Sequence, residues 1–333
     1  MTAVAERSGR SAMRLPYCCV VSFLIITACA PRAFAAEPSP VRLFEERPIQ
    51  VLVGFPAGGI FDTVNRLLLA RMEKSVGVTM ISVPMPGAGG AVAMQRVARG
   101  TADGHTLMLV PTGAFLARPV SMGLPIDYRD FSPIASVAVN FTMVGVKHDH
   151  RWKSIADLVR DAKAAPGKYS YAIPALGGNP HFAMELLSRA TGIRVVAIPY
   201  QGSPQAIAGV LGNEADIVVT DNTHPQIRSL ATLNARRSPF QPNVPTLKEL
   251  GYNVELYSRF MLVAPKGTPQ RRIDALEASA RRASEESEFR KLVERQGLEP
   301  LFESGVAVAK TFEKDAPMYR RLIEDLGLAN KAK

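Results

Sequence analysis

Four glycine-bearing segments hold the residues best suited to gripping a small charged solute. They are Phe55-Pro56-Ala57-Gly58-Gly59, Pro84-Met85-Pro86-Gly87-Ala88-Gly89-Gly90, Pro111-Thr112-Gly113 and Pro174-Ala175-Leu176-Gly177-Gly178-Asn179-Pro180-His181. Glycine lets the backbone take angles closed to other residues and approach a ligand closely. Each segment follows an apolar run and precedes a helical pattern, so the first amides of a helix point into the space above a strand. Those amides and the helix dipole favour an anion. Neither a G-x-x-x-x-G-K-[ST] run nor a G-x-G-x-x-G fingerprint is present, which favours a carboxylate over a phosphate. The competing reading is that Gly58 and Gly59 only form a tight turn.

Side chains near these turns carry two readings each. Thr112 offers its hydroxyl to a ligand or caps its own helix. Asn179 hydrogen-bonds a ligand or caps the helix that follows. Tyr200 and Gln201 fall near the same edge. Asp221, at a strand end, accepts from an amine or simply forms a turn. No G-x-S-x-G elbow occurs, the five histidines are dispersed, and there is no H-E-x-x-H. His148-Asp149-His150 reads as a solvated turn, since no third ligand is close in sequence. With no metal, cofactor or catalytic pair implied, the inventory suits binding without covalent chemistry.

The elements that must position these residues follow from hydrophobic periodicity. Val51 to Val53 forms a buried strand, and Ile60, Phe61, Val64, Leu67, Leu68 and Met72 recur at helical spacing. Further strands are expected at 79–83, 106–110, 141–147, 169–173, 195–199, 215–220 and 257–264. Helices are expected at 91–99, 155–164 with Ser154 as N-cap, 182–191 ending at Gly192, a stretch ending at Leu211, 268–284, 286–296 and 311–326. Residues 115–133 read as a loop. Strands alternating with helices make an α/β fold whose turns collect at the carboxyl ends of parallel strands. Residues 36–140 and 259–333 form one discontinuous lobe, residues 141–258 an inserted second lobe, and the linking strands a hinge.

A chain of 333 residues, 47% hydrophobic and 21% charged, accommodates two medium cores. Residues 1–35 read as a secretory signal peptide: Arg7, Arg10 and Arg14 precede an apolar run from Tyr17 to Ala28, and Ala33-Phe34-Ala35 supplies the cleavage site. The run is shorter than the roughly 20 residues of a membrane span. A competing cut at Ile26-Thr27-Ala28-Cys29 would make a lipoprotein through Cys29. Cys18, Cys19 and Cys29 all lie in the leader, so cutting after Ala35 leaves no disulfide and no thiol. Four arginines and one glutamate also lie there, so the formal charge falls from +10 to +7, with 36 basic and 29 acidic residues. That mild field suits a small anion, and scattered basic residues without aromatic interleaving do not suggest nucleic acid.

The chain resembles the Bug proteins, extracytoplasmic solute receptors of the tripartite tricarboxylate transporter type. The matching segments are Phe55 to Gly59 with Asp62 and Arg66, Pro86 to Gly90, Asp103-Gly104-His105-Thr106-Leu107, Asp127 with Asp130-Phe131, Pro199-Tyr200-Gln201-Gly202-Ser203, and Val244-Pro245-Thr246 with Glu249 and Gly251. The resemblance implies a two-lobed periplasmic binding protein fold (type II, Venus flytrap) with two hinge strands, closing over a small carboxylate: a di- or tricarboxylate, an amino acid or an aromatic acid. It implies that Phe55, Pro56, Ala57, Gly58 and Gly59 hold the carboxylate through amides and waters. Gly87, Ala88 and Gly89, and Gly178, Asn179 and His181, help from across the cleft, and Asp62 receives an ammonium or caps its helix.

The sequence departs from that pattern in three places. Gly178-Asn179-Pro180 replaces a Ser- or Thr-rich turn, Arg118-Pro119 stands where Asn-Pro is frequent, and the segment between Asn222 and Arg236 is short, as if a helix after Asp221 had been trimmed. The implied partner is a membrane permease of the tripartite tricarboxylate transporter type, with the receptor a periplasmic monomer. The alternatives are partnership with a membrane sensor kinase and an enzyme acting on a carboxylated solute.

Overall fold

The computed structural model describes residues 43, 44 and 47–329, so the signal-peptide and lipoprotein readings, and all three cysteines, lie outside the described residues. Two sheets carry the fold. The first contains β1 (Ile49–Val53), β2 (Met80–Pro84), β3 (Thr106–Pro111), β4 (Phe131–Val139), β10 (Arg259–Pro265) and β11 (Glu303–Ser304), in the order β11-β4-β10-β3-β1-β2. The second contains β5 (Met143–Lys147), β6 (Ser170–Ile173), β7 (Val196–Pro199), β8 (Ile217–Thr220) and β9 (Ile227–Thr232), in the order β7-β6-β8-β5-β9.

Each sheet has a parallel portion extended by antiparallel strands. In the first, Val51 faces Ser82 on β2 and Leu107 on β3, both in parallel register. β10 runs antiparallel between β3 and β4. In the second, β6 is parallel to β7 and β8, and β5 is antiparallel to β8 and β9.

Helices cover both faces of the first sheet, as a parallel sheet with apolar strands requires. Val51, Val53, Leu107, Leu109, Phe260 and Leu262 pack under α1 (Ile60–Val76), α7 (Gln270–Glu285) and α8 (Ser287–Arg295). The opposite face, with Leu52, Met108 and Met261, meets α2 (Ala91–Ala98), α3 (Thr112–Ser121) and α9 (Gly305–Asp325). That cluster continues into the second sheet through α4 (Ile155–Ala164) and α5 (Asn179–Thr191), while α6 (Ser203–Leu211) covers the other face beside Met143 and Val218. Each such fully buried side chain contributes about 1.5–3 kcal/mol relative to exposure.

Ser154 caps α4 as expected, in a capping box with Asp157. Three other expectations are corrected. Residues 115–133 are not a loop: α3 occupies most of the first half despite Pro119 in its last turn, and β4 starts at Phe131. Asn179 is not the cap of α5. Gly178 holds that position, leaving Asn179 as the first helical residue. The stretch after Asp221 contains β9, which was not anticipated.

The short connection from β8 to β9 has a simple geometry. Both strands are antiparallel to the intervening β5, so the chain must return along β5 while crossing it. That is about 14 Å along and about 10 Å across. The six residues Asp221 to Gln226 cover it with a turn in which Ile227 N donates to the His224 carbonyl at 3.0 Å, which leaves no length for a helix.

The chain passes between the sheets at residues 140–142 and again at 233–258, and the two passages are zipped together. Asn140 N donates to the Ser258 carbonyl at 2.8 Å, and Leu233 N to the Thr142 carbonyl at 3.0 Å. The Asn234 side-chain amide donates to the Asn140 carbonyl at 2.8 Å.

Candidate functional site

The first two glycine turns meet through Gly54 and Gly90. A Cβ on Gly54 would lie 2.5 Å from the Gly90 Cα, so the two backbones touch and only glycine fits. This contact sets the end of β1 against the N-cap glycine of α2. Phe61 stacks between Phe55 and Phe260, with centroid separations of 4.4 and 4.5 Å, and fixes the first turn to β10.

Helices α1, α2, α5 and α6 begin after Gly59, Gly90, Gly178 and Gly202, and none has a side-chain cap. Helices α4 and α9 are capped by Ser154 and Ser304. The amides of Ile60, Phe61 and Asp62 accordingly have no acceptor within their helix. The second turn adds donors: Ala88 and Gly89 take left-handed φ angles of 49° and 64°, and Gly90 follows at 98°. Consecutive amides in such a turn make a concave anion-binding surface.

Within the first turn the donors are divided. Gly59 N donates to the Pro56 carbonyl at 3.2 Å, and Gly58 N donates to Asp62 at 2.9 Å. The Asp62 carboxylate also accepts from Ser82 at 2.7 Å and from Arg66 Nε at 2.9 Å. Asn65 extends the brace, donating to Ser82 at 2.9 Å. Burial alone would raise the Asp62 carboxyl, but the Gly58 amide, the Ser82 hydroxyl and the Arg66 guanidinium outweigh it and hold it below its ordinary 3.8. Asp62 is thus an ionised strut with its oxygens occupied.

The fourth turn lies against α3. A Cβ on Gly113 would lie 2.0 Å from Asn179 Oδ1, which accepts from the Tyr319 hydroxyl at 2.6 Å. The Asn179 amide nitrogen is buried without a partner. His181 is buried, its Nδ1 accepts from Gly177 N at 3.1 Å, and burial holds its pKa below 6.5, so a neutral ring braces the turn. Thr112 is fully buried, accepting from Arg259 N at 3.2 Å and donating to the Met261 sulfur at 3.4 Å.

Arg118, from the last turn of α3, lies between the second and fourth glycine turns. A Cβ on Gly89 would sit 2.5 Å from its Nε, and one on Gly177 3.9 Å from its Nη1. Among the described residues its guanidinium has no hydrogen-bond acceptor and no carboxylate partner, and burial lowers its pKa.

Tyr200 bonds away from this cluster, and Asp221 reaches it only through its charge on Tyr319, the partner of Asn179. The Tyr200 hydroxyl donates to Glu214 at 2.8 Å, its ring folded over Gly209 of α6. Asp221 lines a separate cavity of about 210 Å³ with Phe141, Thr223, Phe240 and Arg295. Its Oδ1 accepts from Thr142 at 2.5 Å, and burial pushes its carboxyl up from 3.8. His148 and His150 belong to the turn after β5, where the His150 ring packs on Trp152 at 4.4 Å. Among the described residues no group of three or more His, Cys, Asp or Glu side chains gathers as a metal site.

Sequence reasoning missed Gly54 and Ser82, and recorded Arg118 only as a departure from the family pattern. The signal for Gly54 was its place at the end of β1, immediately before the first turn.

The profile of the tripartite tricarboxylate transporter family receptor, TctC, matches residues 64–328. Protein BugT of Bordetella pertussis is 34% identical over 260 residues, covering 75% of this chain and 78% of BugT. A TctC solute-binding protein from Polaromonas, solved without ligand, has a TM-score of 0.78 at 26% identity, covering 85% of this chain and 99% of that one. An R. palustris protein solved with adipate has a TM-score of 0.70 at 26% identity, covering 85% of this chain and 98% of that one.

Proposed function

The chain belongs to the tripartite tricarboxylate transporter receptor family, and from that membership we propose that it is a periplasmic receptor that closes on a small carboxylate without transforming it. The observation that carries this reading is the contact of Gly54 with Gly90, which sets the end of β1, where the chain turns into the uncapped α1, against the uncapped start of α2. Two sets of free amides and two helix dipoles then favour one anion. The adipate in the R. palustris relative supports the same ligand class.

Among the described residues, those from 47 to 140 with 259–329 act as one lobe and 141–258 as the other, with the zipped passages as the hinge. Contacts from both lobes favour the closed state, and the closed receptor docks its membrane permease. Phe55 to Gly59, Gly87 to Gly89, Gly178 and Asn179 form the ligand-facing turns. Asp62, Thr112 and His181 hold those turns in shape.

The test is thermal unfolding of the purified protein against mono-, di- and tricarboxylates, amino acids and aromatic acids. A ligand at 100 times its Kd should add about 2.7 kcal/mol of stability. Stabilisation by carboxylates as a class is the expected result; turnover of a bound acid, or no stabilisation by any acid, overturns the reading.

A further inference from the structure

Arg118 has no role in the amide cradle described above, yet its placement is unusual. A half-buried guanidinium normally finds a carboxylate, because desolvating a charge is costly unless a counter-charge offsets it. The carboxylate of the first turn is not available for this: Asp62 is saturated by Gly58, Ser82 and Arg66. What surrounds Arg118 instead is glycine, Gly89 on one side and Gly177 on the other, and a side chain on Gly89 would displace it.

The same turn connects Arg118 to the amide cradle. Gly89 lies against the guanidinium and its neighbour Gly90 lies against Gly54. Consecutive Cα atoms are about 3.8 Å apart, so Arg118 and the end of β1 flank the short turn that starts α2, at a spacing that a molecule of a few carbons bridges.

We propose that Arg118 is a second anchor of the site, taking the far carboxylate of a ligand whose first carboxylate rests on the amides at the starts of α1 and α2, and so selecting dicarboxylates over monocarboxylates and amino acids. This inference rests on the carboxylate-receptor reading and sharpens it. A guanidinium binds a carboxylate with two parallel hydrogen bonds, which adds direction as well as charge. A zwitterion would bring its ammonium towards an arginine with no free carboxylate to receive it.

The test is calorimetric titration of wild type, Arg118→Gln and Arg118→Lys with adipate and succinate, with hexanoate and butyrate as the single-carboxylate counterparts of equal length, and with glutamate. Wild type is expected to bind one of the diacids at least tenfold more tightly than its counterpart. Arg118→Gln should lose that tenfold preference while keeping its monocarboxylate affinity and its ligand-free unfolding temperature, and Arg118→Lys should retain part of the preference. A preference that survives in Arg118→Gln, or equal loss for both acids, overturns the role. Wild type favouring glutamate over both diacids overturns the exclusion of amino acids but leaves the receptor reading standing, whereas wild type that binds none of these acids and is stabilised by no acid in the thermal panel removes both.

Discussion

Asp62 shows how a residue can belong to a binding turn without touching what is bound. Its carboxylate ties the Gly58 amide to Ser82 and Arg66, so the turn is held before any ligand arrives. Removing it unties three hydrogen bonds whose donors reach solvent, at about 0.5–1.5 kcal/mol for each bond. Asp62→Ala should therefore lower unfolding free energy by about 2 kcal/mol at pH 7, measured by denaturant titration, and weaken diacids and amino acids by the same factor. The folded carboxyl titrates below its ordinary 3.8, so its contribution is complete above that value and is lost as pH falls through the folded value. The gap between wild type and Asp62→Ala should be constant from pH 7 to pH 5 and narrow only below about pH 3.8; a gap that narrows near neutrality would assign the effect to another group. Gly58 and Gly59 were legible in the sequence because the turn is local. The partnerships of Ser82 with Asp62, and of Arg118 with Gly89 and Gly177, were not, because they join segments that only the folded chain brings together.

At the scale of elements, the packing of the β1 end on the N-cap of α2 depends on one absent side chain. Gly54→Ala would place a Cβ 2.5 Å from the Gly90 Cα, backbone against side chain with no rotamer to relieve it. The expected cost is about 1–3 kcal/mol, with the first two turns pushed apart. Carboxylate affinity should fall at least tenfold in a protein that still folds, measured by titration beside circular dichroism; unchanged affinity would separate the two turns functionally. The parallel strands and their helices were readable because their apolar runs and glycine stops agree. Helix α3 was hidden by Pro119, which normally ends a helix, but here it falls in the final turn, where little helix remains to disrupt. Strand β4 was hidden by Pro133, which pairs with Val263 beside a register shift. Strand β9 was hidden because its residues Arg228 and Ser229 interrupt the apolar run.

For the molecule as a whole, α9 bridges the two sheets. It packs on β4 and α3 and reaches α5, where Tyr319 bonds Asn179, Phe182 meets its ring at 5.5 Å, and Asp325 pairs with Arg189 at 2.8 Å. The two-lobed plan was legible from where apolar runs leave and re-enter the first lobe, but this strap was not, since helical periodicity does not say which neighbour a helix will meet. The placement of β10 has a consequence in time. It sits between β3 and β4 of the first sheet, yet it is made only after all five strands of the second. A chain emerging from one end therefore cannot finish its first sheet until its last third arrives, while the second sheet needs nothing beyond residue 232. Contacts so distant in sequence form slowly, because a long loop must close first. In refolding followed by pulsed hydrogen exchange, β5 to β8 should gain protection no later than β3 and β10; the reverse order would show that the first sheet assembles around the gap. Such a chain carries an open seam between β3 and β4 for most of its synthesis, and only its last third closes it.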